Sequence, residues 1–291
     1  MNVVHSIGRT PAIALERFGH DPATPHRDPE RERADGHAVN FVCSGSFRVR
    51  TGDAWRAVTP DCLFVTNPGL EFSCAHDVEY PEDDCLSVLY SESAIESLRS
   101  AGAGAVPSPP PGLAPVLALT NRRAYLRHSL AASPEGEAAR LEALAGALYW
   151  TLGMQPGRRP LFRAQQLSWY AARIDRAKEL MRTEFSEPLS LSRLAREVGM
   201  SLYPFARVFG ELEGETPHRF LVGIRLREAA RRLREGEPVT EVCFAVGFGS
   251  VSHFSTSFRA AFGSSPSAYR QTPIRPPSFA MGATVAPSTG P

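Results

Sequence analysis

Between Ser190 and Tyr269 the chain carries one pattern twice: an amphipathic run, a glycine, and a second amphipathic run. In the first copy Leu191, Leu194, Ala195 and Val198 recur at helical spacing, Gly199 breaks the run, and Phe205, Val208, Phe209 and Leu212 form a second stripe. In the second copy Val242, Ala245 and Val246 precede Gly247, and Phe254, Phe258 and Phe262 follow. A short helix, a glycine turn and another helix make a helix-turn-helix, so the spacing predicts two of them. Local chemistry agrees. Ser190 and Ser201 are N-cap residues, Leu189 and Leu194 are placed as a hydrophobic staple, and Pro204 falls in a first turn, where no amide is needed. Thr216 and Pro217 start a joining helix with Phe220, Ile224, Ala230 and Leu233 on its apolar side, and Gly236 suits its end.

The outward faces decide what such helices can touch. At about 100° per residue, the side opposite Phe205, Val208, Phe209 and Leu212 carries Tyr203, Ala206, Arg207 and Gly210. Opposite Phe254, Phe258 and Phe262 lie Ser252, His253, Thr256 and, at the edge, Arg259. A face with hydrogen-bond donors and little bulk fits the major groove of DNA, where Arg binds guanine through O6 and N7. Two such helices held at roughly 34 Å enter successive major grooves on one side of a duplex. A single helix-turn-helix pattern is weak evidence of this, because amphipathic helix pairs occur in any helical domain; two copies with a joining helix are far more specific. His253 faces outward, and both a DNA contact and an idle surface histidine stay open for it.

The stretches LSLSRLAREVGMSLYPFARVF, ETPHRFLVGIRLREAARRL and VTEVCFAVGFGSVSHFSTSFRAAFGSSPSAYR together resemble the DNA-binding domain of AraC/XylS-type transcription regulators. The resemblance covers roughly a third of the chain. Residue by residue, it implies base-reading positions at Tyr203, Ala206 and Arg207 in the first recognition helix and at Val251, Ser252 and Thr256 in the second. It also implies promoter DNA and RNA polymerase as partners. In the mechanism it implies, effector binding or dimerisation repositions the DNA-binding domains and changes contact with the polymerase.

Whole-chain properties are compatible with this. A chain of 291 residues, 43% apolar, is long enough for two cores. Net charge is only +1, yet residues 171–271 hold 15 Arg and Lys against 12 Asp and Glu, so positive charge is displaced toward the DNA-binding end. The first twenty residues contain His5, Arg9, Pro11, Glu16 and Arg17 and no apolar core of signal-peptide length, which predicts a cytoplasmic protein. Five cysteines are not read as a disulfide framework, and Cys243 is expected to be a small buried hydrophobe.

In chain order, residues 1–36 are polar and proline-rich and predict a loosely held arm. From Ala38 to about Tyr90, within a domain expected over 37–98, the periodicity changes to that of strands. Strands are expected at Val39–Val42, Phe47–Arg50, Trp55–Val58, Leu63–Thr66, Glu71–Ala75 and Cys85–Tyr90, with turn residues between them. Short strands at this spacing predict a small antiparallel barrel or jelly roll. From GSFRVR through PDCLFVTNPG the region is similar to the cupin-like sensing domain of many AraC-type regulators, although the metal-binding His-x-His of enzymatic cupins is missing. The fold class expected is therefore α+β: an N-terminal cupin-like antiparallel β-barrel with following helices, then an all-α domain with two helix-turn-helix motifs. An Ala/Gly/Pro-rich linker is expected over 99–118, helices over 119–170, the DNA-binding domain over 171–271 and a disordered tail over 272–291. Leu126, Leu130, Leu141, Leu144 and Leu148 form the apolar side of the first helical stretch, and another helix is expected from Leu161 to Glu184. In the resembling family, helices at this place commonly form a homodimer contact; by periodicity alone they equally pack on the barrel.

One constellation suggests further chemistry. Cys74 and His76 share a strand face, and a hairpin pairing His76 with Cys85 places all three together. Thiolate and imidazole are soft-metal ligands, with Asp83, Asp84, Cys62 or an arm histidine as a fourth donor. A metal or redox sensor and a set of buried, unreactive cysteines beside a hydrogen-bonded histidine are the two open readings. No phosphate-binding glycine loop, nucleophile elbow or HExxH occurs, so catalysis is not expected. The regulator reading, with a small-molecule or metal/redox signal, has two rivals: a metal-dependent cupin enzyme with a DNA-binding tail, and a sequence-indifferent DNA-bending protein.

Overall fold

The computed structural model describes residues 3–19, 30–76, 83–101, 115–133, 136–154 and 160–271. The chain divides into two units, residues 1–172 with 211–214, and residues 173–210 with 215–291.

The first unit is built on strands β1 (Val3–Arg9), β2 (Ile13–Gly19), β3 (Glu30–Arg33), β4 (His37–Ser44), β5 (Phe47–Thr51), β6 (Ala54–Val58), β7 (Cys62–Thr66), β8 (Glu71–His76), β9 (Asp84–Tyr90) and β10 (Val116–Ala118), with α1 (Glu92–Ser100), α2 (Asn121–Ala131) and α3 (Ala138–Leu152). All ladders are antiparallel and form two sheets, β1-β2-β9-β4-β7-β10 and β3-β8-β5-β6. Inward residues from both, Val42, Phe64 and Cys85 from the larger and Phe47, Val49 and Val58 from the smaller, make one core. The six strands expected between residues 39 and 90 all form, but not as a closed barrel. The reason lies at β8 and β9, neighbours in sequence that enter different sheets: β8 pairs with β3 and β5, β9 with β2 and β4. Both sheets therefore end in open edges among the described residues, and the architecture is a sandwich.

The expected loose arm is corrected as well. β1 and β2 are full strands of the larger sheet, with Ile13 and Leu15 buried at alternate positions against β9. That apolar alternation outweighs the polar composition around it. Of the expected linker, Ser100 ends α1 and residues 116–118 form β10; residues 102–114, like the expected tail over 272–291, lie outside the described residues.

The helical stretch after the sandwich is two helices rather than one. Gly136, at φ +94°, has a backbone no continuous helix could use. Tyr90 donates from its hydroxyl to the Ala145 carbonyl at 2.9 Å, tying β9 to α3. Arg123 of α2, 2% exposed, ends α3: its guanidinium donates to the carbonyls of Thr151 (2.6 Å) and Met154 (3.4 Å) and to that of Ala118 (2.6 Å). Burial lowers its pKa, and the helix C-terminus with its orphan carbonyls compensates the charge.

The second unit takes in the later turns of α4 (Ala164–Thr183), then α5 (Leu191–Glu197), α6 (Leu202–Glu213) as far as Gly210, α7 (Pro217–Arg234), α8 (Val239–Ala245), α9 (Val251–Phe262) and α10 (Pro266–Gln271). Thr216 caps α7 by accepting from the Arg219 amide at 3.3 Å, and Pro217 is its first residue. α7 is buried more broadly than one stripe, at Leu221, Ile224, Leu226, Ala229, Ala230 and Leu233. Its early turns meet α6 through an edge-on Phe209–Phe220 contact at 5.5 Å. Leu226, Ala229, Ala230 and Leu233 join the core of the second helix-turn-helix. One helix thus serves two cores, and a helix buried on two sides shows weaker amphipathic periodicity.

Candidate nucleic-acid interface

The two copies close their turns by the same bonds. At the first, the Gly199 amide donates to Arg196 O (3.0 Å) and the Met200 amide to Ala195 O (2.9 Å). At the second, the Gly247 amide donates to Phe244 O (3.0 Å) and the Phe248 amide to Cys243 O (3.1 Å). Both glycines are left-handed, at φ +65° and +86°, which side-chain-bearing residues reach only with strain. Ser190 accepts from the Arg193 amide at 3.1 Å as the cap of α5, and Arg193, where a capping box would have an acid, pairs instead with Glu184 at 2.6 Å. Ser250 caps α9 by accepting from the His253 amide at 3.4 Å.

Behind these helices the aromatic residues pack in two groups, one in each copy. Phe205, Phe209, Phe254 and Phe258 are fully buried, with edge-on contacts of 5.8 Å between Phe205 and Phe209 and 5.6 Å between Phe254 and Phe258. The closing motif completes the second core. Gly263 ends α9 at φ +73°, and Tyr269 of α10 stands edge-on to Phe258 at 5.2 Å with the Arg234 guanidinium 4.8 Å above its ring. Cys243 is buried, which raises its thiol pKa as expected for a structural cysteine.

In front, the structure gathers most of the expected residues. Tyr203 is 85% exposed, the most open of the large hydrophobic side chains among the described residues. Arg207, one turn on, is exposed, and Ala206 beside it is half-buried. On α9, Ser252, Thr256 and Arg259 are exposed at positions i, i+4 and i+7, a single face. Thr256 donates from its hydroxyl to the Ser252 carbonyl at 3.1 Å. His253 is exposed, its ring tilted against Phe248 at 5.5 Å. Val251 departs from this set: it is half-buried and leans on the second core, so its side chain is engaged behind the helix.

Sequence reasoning missed Arg225. From α7 its guanidinium donates to the carbonyls of Phe185 (2.7 Å) and Glu187 (2.9 Å), tying the segment after α4 to the joining helix. Gly247 completes that junction. A Cβ there would lie 2.7 Å from Ser186 O and 3.0 Å from both Phe185 O and Arg225 Nη2. The only prior signal was an arginine set between the apolar residues Ile224 and Leu226 of the joining helix.

The suggested metal triplet does not form as expected. Cys74 and His76 do share the core-facing side of β8, but β9 belongs to the other sheet, so His76 and Cys85 are not hairpin partners; His76 pairs with Phe47. Asp83 lies between them instead. Its carboxylate accepts from the Cys85 thiol at 3.2 Å and stands 3.8 Å from His76 Nε2. Burial first and Asp83 second push the Cys85 thiol far above its ordinary range. Cys62 donates to carbonyls in its own turn, Thr59 O at 3.4 Å and Ala57 O at 3.8 Å. Among the described residues no group of three or more His, Cys, Asp and Glu could hold a metal ion, and no helix is long and apolar enough to cross a membrane.

Comparison with known proteins agrees with the geometry. Residues 194–272 match a family of helix-turn-helix domains. The transcriptional activator RhaS of Klebsiella pneumoniae is 35% identical over 101 residues, 34% of this chain and 36% of that protein, so the chain matches only about a third of that activator's length. A solved AraC-type regulator structure from Chromobacterium violaceum is 30% identical, covering 35% of this chain and 95% of that one, with a TM-score of 0.33. The MmsAB operon regulatory protein of Pseudomonas aeruginosa is 30% identical over 283 residues, spanning 92% of this chain and 85% of that protein. With a double helix-turn-helix at one end and a relative matched across nearly its whole length, this chain belongs to the AraC family of transcription regulators.

Proposed function

We propose that the protein is a sequence-specific regulator whose second unit reads promoter DNA with α6 and α9. One observation carries this: two helices that follow turns of the same geometry, packed on one joining helix, each present a polar face outward, Tyr203 and Arg207 on one and Ser252, Thr256 and Arg259 on the other. On α6, Arg207 supplies a bidentate fork for guanine and Tyr203 a ring and hydroxyl for bases or phosphate. On α9 the short hydroxyls allow close approach, with His253 and Arg259 reaching the backbone. Its direct readout is accordingly thinner than that of α6, and Val251 contributes packing.

In this reading the sandwich receives a small-molecule signal and passes it to the DNA-reading unit, with homodimerisation through the helices after the sandwich and contact with RNA polymerase completing the response. The test is Arg207→Ala. It lowers discrimination at one or two base pairs by about 1–3 kcal/mol in competition binding at fixed salt. Equal weakening on all sequences would place Arg207 on phosphate and remove the base-reading role.

A further inference from the structure

The four-stranded sheet turns one face to the core and the other away from it, and the outward face is unusual. Register places Arg31 of β3, Ser73 of β8, Arg50 of β5 and Trp55 of β6 in one row, because Arg31 and Arg50 both lie directly across from Ser73 and Trp55 lies across from Arg50. Directly paired residues share a face, so these four side chains project together. The row contains no carboxylate. Glu71 sits one step away, directly across from Arg33. A cleft of about 460 Å³ opens here, lined by Arg31, Arg33 and Arg50 against Glu32 and Glu71, with Phe72 and Ser73, and Gly52 adding no side chain to its wall. That volume is within the range of small-molecule sites, about 300–1,000 Å³.

We propose that this cleft binds a small organic anion, a carboxylate or a phosphate ester, gripped between Arg31 and Arg50. Two strand spacings separate these residues, roughly 9–10 Å between backbones, so guanidinium forks from both sides can close on one anionic head group. Trp55 helps to hold one fork in place: the Arg50 guanidinium lies 5.1 Å from its ring centroid, and that of Arg48 at 5.6 Å. Ser73, 6% exposed at the floor of the row, offers a hydroxyl between the forks. The inference rests on the reading of the sandwich as the signal-receiving unit and gives that signal a chemical class.

The test titrates the full chain with benzoate and with phenyl phosphate at constant ionic strength, with benzyl alcohol as the uncharged control. Saturable binding of one or both anions, and none of the alcohol, is expected; the tighter anion identifies the head group. Arg31→Gln and Arg50→Gln should each weaken binding by about tenfold or more. Arg56→Gln, on β6 but outside the cleft, should leave it unchanged. Absence of saturable binding by both anions, or equal affinity in Arg31→Gln, Arg50→Gln and the parent protein, overturns the site. Promoter binding without anion is measured on the same proteins. Its loss in the parent protein would count against the regulator reading, whereas anion binding by that same protein would still support the cleft.

Discussion

Replacing each turn glycine by alanine separates two costs that the two copies do not share. Gly199 is left-handed at φ +65° with nothing within 4 Å of a built Cβ. Gly199→Ala therefore pays backbone strain of about 1–2 kcal/mol, partly offset by about 0.4–1 kcal/mol through a less disordered unfolded chain. The net loss is at most about 1.6 kcal/mol. Gly247 has the same hand, φ +86°, but its Cβ would lie 2.7 Å from Ser186 O and 3.0 Å from Phe185 O. Main-chain carbonyls do not rotate away. Relief requires the segment around residues 185–187 to retreat, and that segment is held by the Arg225 guanidinium at 2.7 and 2.9 Å. Charge-assisted bonds contribute about 1.5–3 kcal/mol each, so weakening both and adding the strain puts Gly247→Ala near 3 kcal/mol. For a unit of this size that is roughly 10–20 °C of melting temperature. Scanning calorimetry of the full chain, with far-ultraviolet circular dichroism to follow the helical unit, reads both variants. Equal shifts for the two, or a smaller one for Gly247→Ala, would refute the argument that this turn is wedged against the segment after α4.

Two further outcomes follow from the charges. Glu228 accepts from Arg231 at 2.7 and 3.0 Å and from Arg232 at 2.8 Å, and these bonds, Arg231's first, lower its carboxyl from 4.5 to about 2. A depressed carboxyl stabilises the fold fully above its unfolded value, and that stabilisation is lost as pH falls from 4.5 toward 2. Glu228→Gln should thus show a shallower loss of stability than the parent protein across that window, measured by denaturant titration at successive pH values. In the first unit, Arg123→Leu strands three carbonyls at the end of α3 and before α2 and should cost about 2–4 kcal/mol. All three tryptophans, Trp55, Trp150 and Trp169, lie in that unit, so their fluorescence in urea reports the change; an unchanged midpoint would show that solvent replaces the guanidinium.

What the sequence disclosed follows from how local each feature is. The second unit was legible because its determinants lie within one or two helical turns: Gly199 and Gly247 at the turns, Ser190 and Thr216 as caps, Phe254 and Phe258 at helical spacing. Arg225 was not, since its acceptors lie 38 and 40 residues away and leave no periodic trace. In the first unit the strands could be read by alternation but not their sheets, because nothing local tells a hairpin from a crossing between layers, and β8 followed by β9 is a crossing. That error assembled the Cys74, His76 and Cys85 triplet. β1 and β2 were hidden by composition, although Ile13 and Leu15 alternate correctly with Ala14 and Glu16. Val251, assigned by resemblance to the DNA side, is half-buried against the second core.

The central claim is that α6 and α9 enter neighbouring major grooves on one side of the duplex. Protection of guanine N7 from methylation, measured on a bound promoter site, reports major-groove occupancy directly. Two protected patches about one helical turn apart on one face, the patch under α6 vanishing in Arg207→Ala, are the expected result. A single patch, or protection spread evenly along the fragment, would contradict the account.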